Sequence, residues 1–335
     1  MGNSSSETDT SIDHSQESPH QQQERLAVAG RPFRPLENTV LVDGFDNSRC
    51  GWYNHHIDRP DYDLNWGVVC RSSMPAHWWG SHGAQSGHYS LKLATQAQPG
   101  SVTRAIKRLT MPYHKGEWYT TLRFETFFTF HEEPRGDTTH TEVRPHDEEL
   151  TGERNVRGFL VAFDLHDRNH RYWPGIRYHN WQEDDRQARW QYNEWGLDPD
   201  MDEYTDIPGG EQNLCWNSPN DSVPWKPNWH YLRIDLDLEG YGYRELQCND
   251  QIYDLRELSL EPMDAYYDER LKTPTPWGDI DGLLNPIMSV QTNTETRSMF
   301  FVDSLMISAT TQDPDGYDTN DDADTSQEVS NHDGM

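Results

Sequence analysis

Between residues 40 and 308 the chain is written in alternation. In 231–238, Leu232, Ile234, Leu236 and Leu238 take every second place, with Arg233, Asp235 and Asp237 in the gaps. A period of two sends successive side chains to opposite faces of a strand, so such a run buries one face and wets the other. Runs of this kind recur about a dozen times, with Gly, Pro, Asn or Ser at the breaks. They lie at 40–45, 89–94, 102–109, 118–131, 157–166, 171–179 and 188–192, then at 231–238, 243–248, 251–255, 286–294 and 299–308. Asn249 and Asp250, between two of them, read as a two-residue hairpin turn. Helical spacing is nearly absent, and 262–271 is the best candidate for a short helix. Without alternating helices there is no βαβ rhythm, which excludes a parallel α/β sheet. The pattern predicts an all-β chain, an antiparallel β-sandwich closed as a jelly roll.

The ends differ in kind. Residues 1–35 are rich in Ser, Gln, Glu and His, and 311–335 in Asp, Thr and Ser. Segments with so little to bury predict disordered tails around a single sandwich domain at 36–310. Two long polar inserts, at about 133–155 and about 194–228, interrupt the strands, and loops of that length are commonly functional.

Acids number 57 against 28 bases, a net charge of −29. The tails account for −2 and −8, which leaves −19 on the sandwich. Charge of this sign repels phosphate backbones and argues against a nucleic-acid partner. Only five of the basic residues are Lys. Short carboxylates with scarce Lys are the pattern expected in a salt-saturated cytoplasm, where a Debye length of about 3 Å screens the repulsion. No apolar run approaches the ~20 residues of a membrane-spanning helix. The opening residues hold no apolar stretch of the secretory kind, which predicts a cytoplasmic location. Cys50, Cys70, Cys215 and Cys248 form no CxxC pair. They read as buried free thiols, with two disulfides as the alternative.

Parity then sorts side chains into faces. Along 118–131, Leu122, Phe124, Phe128 and Phe130 point one way and Arg123, Glu125 and Phe127 the other. Along 157–166, Phe159, Val161, Phe163 and Leu165 share a face opposite Leu160, Ala162, Asp164 and His166. The wet faces therefore hold Arg123, Glu125, Asp164 and His166, which would group if the two strands were neighbours. Two readings are open: a solvated face carrying cross-strand charge pairs, or a concave polar groove. The aromatics favour the groove. Trp78 and Trp79 in one loop, and Trp173 near Arg177, offer flat apolar platforms with a polar edge, as the CH faces of sugar rings require. Glu125 and Asp164 are the candidate acid and base or nucleophile of a glycosidase. His166 could instead serve a lyase as base, with Arg123 neutralising a substrate carboxylate.

Several segments resemble the concanavalin A-like, laminin-G-like jelly rolls. They are Val42-Asp43-Gly44-Phe45-Asp46, the run from Ser86 to Leu93, Trp229 to Leu236, Leu246 to Tyr253, and Phe301 to Ser308. The resemblance covers about 38–310. It implies that the first and last strands are neighbours, that the closing Asp lies at an edge, and that the ligand class is carbohydrate. It also implies a possible structural calcium, for which Asp43 and Asp303 are the matching acids by position. The Glu-x-Asp-x-x-Glu motif of the retaining glucanases in that group has no counterpart; the nearest text is Asp235-Leu236-Asp237-Leu238-Glu239. Three functions remain open. The first is a non-catalytic sugar-binding sandwich using Arg123, Glu125, Asp164, His166, Trp173, Arg177, Trp78 and Trp79. The second is a glycan-cleaving hydrolase or lyase on the same face. The third is a structural or interaction module.

Overall fold

The computed structural model describes residues 33–54, 67–72, 84–110, 118–132, 156–167, 170–180, 187–194, 204–214, 228–264, 267–268, 273–274, 282–292, 295 and 297–312. Among them are twenty strands and no helix. In chain order they are β1 (Asn38–Asp43), β2 (Tyr53–Asn54), β3 (Val68–Ser72), β4 (Ser90–Ala94), β5 (Val102–Ile106), β6 (Leu109–Thr110), β7 (Thr121–Glu132), β8 (Val156–His166), β9 (His170–Tyr172) and β10 (Gly175–His179). There follow β11 (Arg189–Tyr192), β12 (Thr205–Glu211), β13 (His230–Asp237), β14 (Gly242–Cys248), β15 (Gln251–Asp254), β16 (Met263–Asp264), β17 (Tyr267–Asp268), β18 (Thr273–Pro274), β19 (Leu283–Thr292) and β20 (Ser298–Thr310).

They form two large antiparallel sheets. The first runs β15-β14-β13-β7-β20-β4-β3, and β1 also pairs with β20. The second runs β12-β11-β10-β8-β19-β5-β2, with β6 on β19 and the pair β9-β16 beside β8. The first and last strands are neighbours, from Asn38 opposite Ala309 to Asp43 opposite Leu305. The chain is thus the all-β sandwich its alternation predicts.

The inward residues meet between the sheets. Phe159 of β8 stacks on Phe300 of β20 at 4.6 Å and tilts against Phe128 of β7 at 4.8 Å. Phe124 and Phe163 meet edge-on at 5.7 Å. Each fully buried Phe contributes about 1.5–3 kcal/mol relative to exposure. Among the polar ties between the sheets is one at Tyr243. The hydroxyl of Tyr243, on β14, accepts the Gly175 N–H at 2.9 Å and donates to the Asn193 carbonyl at 2.8 Å. It thereby holds the start of β10 and the end of β11 to the opposite sheet.

Several expectations need correcting. Residues 262–271 contain no helix among the described positions. Met263 and Asp264 instead pair with Arg171 and His170, capping the edge that β9 would leave open, and Tyr267–Asp268 pairs with Thr273–Pro274. The expected insert at 194–228 contains β12, the edge strand of the second sheet. The run at 171–179 is broken in two, because Pro174 has no N–H to give a ladder. The described chain begins at Phe33, whose ring packs on Phe127 and Tyr231 at 5.6 and 6.1 Å, so ordered packing starts before residue 36. Asp303 does not lie at an edge. It is fully buried inside β20, at the irregularity where that strand's pairing passes from β4 to β1 and Ser304 takes φ 53°. Asn249 has the φ of 55° that its tight turn needs. Cys50, Cys70 and Cys248 are free thiols, of which only Cys248 is fully buried. Cys215 lies outside the described residues.

Candidate functional site

The parity prediction holds within each strand, but the grouping it suggested does not. Arg123 and Glu125 are on β7 in the first sheet, whereas Asp164 and His166 are on β8 in the second. Phe124 and Phe163 face each other across the core, so Glu125 and Asp164 look away from each other on opposite outer faces. The paired-carboxylate arrangement is therefore not formed by these two acids. The physical reason is that a period of two separates inside from outside and carries no information on which sheet a strand joins.

On the outer face of the first sheet the chain's own N-terminal arm lies over Arg123 and Glu125. The Arg34 N–H donates to Glu125 Oε1 at 2.7 Å, and Arg123 Nη1 donates to the Arg34 carbonyl at 2.6 Å. The Leu36 N–H donates to the Ser308 hydroxyl at 2.9 Å. Glu125 Oε1 also accepts the Tyr231 hydroxyl at 2.7 Å, while Oε2 is buried without a hydrogen bond. Burial pushes the Glu125 carboxyl above its usual range, against the opposing pull of the Arg34 N–H, the Tyr231 hydroxyl and Arg123. Asp235 on the adjacent strand takes Arg123 in a bidentate pair at 2.8 and 2.7 Å.

The outer face of the second sheet is different. Register places Arg104 (β5), Ser289 (β19), Leu160 (β8), Arg177 (β10) and Gln191 (β11) in one row across five strands. The next row holds Gln291, Gly158, His179 and Arg189. Gly158 leaves that row bare between His179 and Gln291, and a Cβ there would lie 2.5 Å from the Tyr178 carbonyl oxygen. Arg177 Nε and Nη2 both donate to Gln191 Oε1, at 2.8 and 2.5 Å, and the guanidinium lies 4.6 Å from the Tyr204 ring centroid. Gln191 Nε2 in turn donates to Asp206 Oδ1 at 2.7 Å, and Arg189 donates to Asp206 Oδ2 at 2.7 Å. Burial alone would raise Asp206, but these two hydrogen bonds outweigh it and hold the carboxyl low. Burial, reinforced by Arg177 and Arg157, pushes His179 down to about 3, so its ring is neutral. Ser289 Oγ and Gln291 Oε1 are buried without a hydrogen-bond partner.

Beside these rows lies an apolar platform of Ile106, Leu160, Ala162, Trp173, Tyr204 and Ile287, with Tyr53 at its margin. Beyond it a second polar group gathers. Asp164 takes Arg171 at 2.8 and 3.1 Å, and Asn285 Nδ2 donates to Asp164 Oδ2 at 3.3 Å. His166 Nε2 is 3.7 Å from Asp164 Oδ1. Burial lowers the His166 pKa. Asn285 Oδ1 and His166 Nδ1 are buried without a partner. The second sheet thus brings together Asp164, His166, Trp173 and Arg177 from the expected set and leaves Arg123 and Glu125 behind. Trp78 and Trp79 lie outside the described residues. Arg104, Gln191, Ser289, Gln291 and Tyr204 were not singled out by the sequence, since a Ser or Gln on a wet face carries no mark until its burial is seen.

The two acids expected at a calcium site have other company. Asp43 pairs with Lys107 Nζ at 3.0 and 2.8 Å and accepts Trp52 Nε1 at 2.8 Å. Asp303 Oδ2 accepts the Ser86 N–H at 2.7 Å, and Oδ1 accepts the Ser304 hydroxyl at 3.3 Å. Among the described residues no three His, Cys, Asp or Glu side chains converge as a metal site would need.

Several solved structures are similar to this chain at a low level. The carbohydrate recognition domain of Emp47p matches at a TM-score of 0.40 and 10% identity, covering 83% of this chain and all of that one. Cellulose induced protein Cip1 matches at 0.38 and 10%, covering 80% and 96%. A pseudo beta-1,3-glucanase of Mycobacterium tuberculosis matches at 0.37 and 13%, covering 82% and 99%. Scores of this size carry no weight for ligand or activity. No curated protein sequence matches the chain. Residues 20–311, spanning every strand described above, match the family described as "Domain of unknown function (DUF6772)", and the chain belongs to that family.

Proposed function

We propose that the protein is a saccharide-binding β-sandwich whose ligand lies on the outer face of the second sheet. One observation carries the reading: Ser289 Oγ, Gln291 Oε1 and Asn285 Oδ1 are buried there without protein partners, around the platform of Trp173 and Tyr204. An unpaired buried polar atom costs about 1–3 kcal/mol, and native folds keep few of them without a use. A ligand with many hydroxyls supplies both donors and acceptors, and its CH faces suit aromatic side chains. The test is calorimetric titration of the full chain with a panel of oligosaccharides, for wild type and Gln291→Ala. Binding that weakens in the variant supports the reading; a panel without binding overturns it.

A second reading rests on Asp164, Arg171 and His166. A buried, neutral His166 beside an Arg-paired carboxylate is suited to accept a proton from a bound sugar. Product release by wild type, lost in His166→Asn, would make the protein a lyase or hydrolase. The surplus of acids over the whole sandwich supports salt-rich surroundings as its setting.

A further inference from the structure

We infer that residues 33–37 form a proton-gated strap over the first sheet, fastened while Glu125 carries a proton and lifted as that carboxyl ionises. The strap is tied by its backbone. Arg123 and Glu125 stand two residues apart on β7 and so project from one face. Between them they take both backbone groups of Arg34: Arg123 Nη1 donates to its carbonyl at 2.6 Å, and its N–H donates to Glu125 Oε1 at 2.7 Å. On one side Phe33 packs on Phe127 and Tyr231. On the other the Leu36 N–H reaches the Ser308 hydroxyl at 2.9 Å. Arg34 and Glu37 are exposed. A segment held by so few contacts can open at a fraction of the cost of global unfolding.

Charge beneath the strap is out of balance at Glu125. β7 supplies Arg123, and β13 supplies Tyr231, Arg233 and Asp235 in register with it. β14 supplies Glu245, opposite Asp235. β20 supplies Met306 and Ser308, which carry no charge. The strap supplies Arg34 and Glu37, of which Glu37 acts on Tyr119. Arg123 is taken by Asp235 in the bidentate pair at 2.8 and 2.7 Å, and Arg233 by Glu245. Three acids of the sheet thus share two arginines, and Glu125 is the one left over. With the strap down Glu125 is fully buried, and its Oε2 has no hydrogen bond. An ionised oxygen buried without a donor is costly, and a neutral carboxyl in the same place costs much less. Lifting the strap gives the carboxylate water instead. The proton is therefore held more tightly with the strap down, in line with burial as the leading cause of the raised Glu125 pKa. By linkage, fastening takes up one proton and lifting releases it to solvent, so the strap loosens as pH rises from the ordinary carboxyl range through the raised value. Lifting also uncovers the sides of Phe127 and Tyr231 that Phe33 packs against.

The experiment is hydrogen exchange of the full chain at one KCl concentration, from about pH 4.5 to about pH 8, read as protection factors so that the intrinsic pH dependence of exchange drops out. The amides of Arg34 and Leu36 report the strap, and those of Phe159 and Leu232 report the sandwich. Protection of Arg34 and Leu36 should fall with rising pH by up to about tenfold per unit, the limit for one proton, and then level off. Phe159 and Leu232 should keep theirs. Glu125→Gln should leave the strap equally protected across the range, and Phe33→Ala should lower its protection at every pH without changing the slope. Wild-type protection that does not vary with pH overturns the gate, as does a Glu125→Gln chain with the wild-type slope. A fall that Phe159 and Leu232 share in parallel is global unfolding, and it overturns the gate as well.

Discussion

Glu125 accepts the backbone N–H of Arg34 at 2.7 Å, across 91 positions of sequence. Arg123, two residues earlier on the same strand, donates to the carbonyl of that same Arg34. One residue of the arm is thus held at both backbone groups by side chains of β7, and Phe33 seats its ring between Phe127 and Tyr231. The arm acts as an added cover on the first sheet. Phe33→Ala should cost about 1–2 kcal/mol, since the ring is half-buried. It should also raise hydrogen exchange at the Arg34 amide without changing saccharide binding at the proposed face, which is on the other sheet. Unchanged denaturant midpoints would show that the arm contributes nothing to stability.

The same carboxylate makes the cover sensitive to pH. The folded-state pKa of Glu125 is raised, mainly by burial. A raised pKa means that the folded chain holds the proton more tightly than the unfolded one. Its stabilising contribution is full below the unfolded value of 4.5 and is lost as pH rises through the folded value. Glu125→Gln removes the buried charge and keeps an oxygen for the Arg34 N–H. The variant should be more stable than wild type at pH 8, with a gap that closes as pH falls to 4. A gap that widens in acid contradicts the assignment.

Much of this architecture was legible in the strands themselves. Phe124, Phe159 and Leu232 announced the core because apolar groups at every second place have one solution, a half-buried strand. The partition into two sheets was not legible. Nothing in the residues between Glu125 and Asp164 records that the chain crosses from one sheet to the other. Residue 33 was hidden for a different reason: a single Phe in polar text gives no period to read. The candidate face was half visible. Asp164, His166, Trp173 and Arg177 stood out by type. Ser289 and Gln291 sat on a run correctly read as a strand, yet their significance comes from neighbours on β5 and β8, more than a hundred residues earlier in the chain.

Tyr243 links that face to the rest of the fold. Its hydroxyl is the partner of the Gly175 N–H, at the first residue of the strand that bears Arg177. Tyr243→Phe leaves this buried N–H and the Asn193 carbonyl without their hydroxyl partner. The expected cost is roughly 2 kcal/mol in urea unfolding. Weaker binding of any ligand that contacts Arg177 should accompany it. A variant as stable as wild type would mean that β10 is positioned by its ladder alone.

Charge repulsion sets a further expectation. With a net charge of −29, lowering KCl from about 3 M to 0.1 M lengthens the Debye length from below about 3 Å to about 10 Å and exposes carboxylates to one another. The melting temperature should fall accordingly, and non-ionic osmolytes should not restore it. A melting temperature constant over this range would remove the case for salt-rich surroundings.

His179 should mark the acid limit of the second sheet. Its pKa is pushed down to about 3, first by burial and then by Arg177. The folded chain therefore keeps the ring neutral while the unfolded chain protonates it below the ordinary value of 6.5. The contribution is fully present above 6.5 and is lost progressively as pH falls toward 3. At about 1.4 kcal/mol per pH unit, wild type should lose about 2–3 kcal/mol relative to His179→Gln between pH 6.5 and 4. Urea midpoints of the two proteins across that interval read the difference directly. Parallel curves would show that His179 titrates as it does in water, and that the arginines around it are balanced by charge from another quarter.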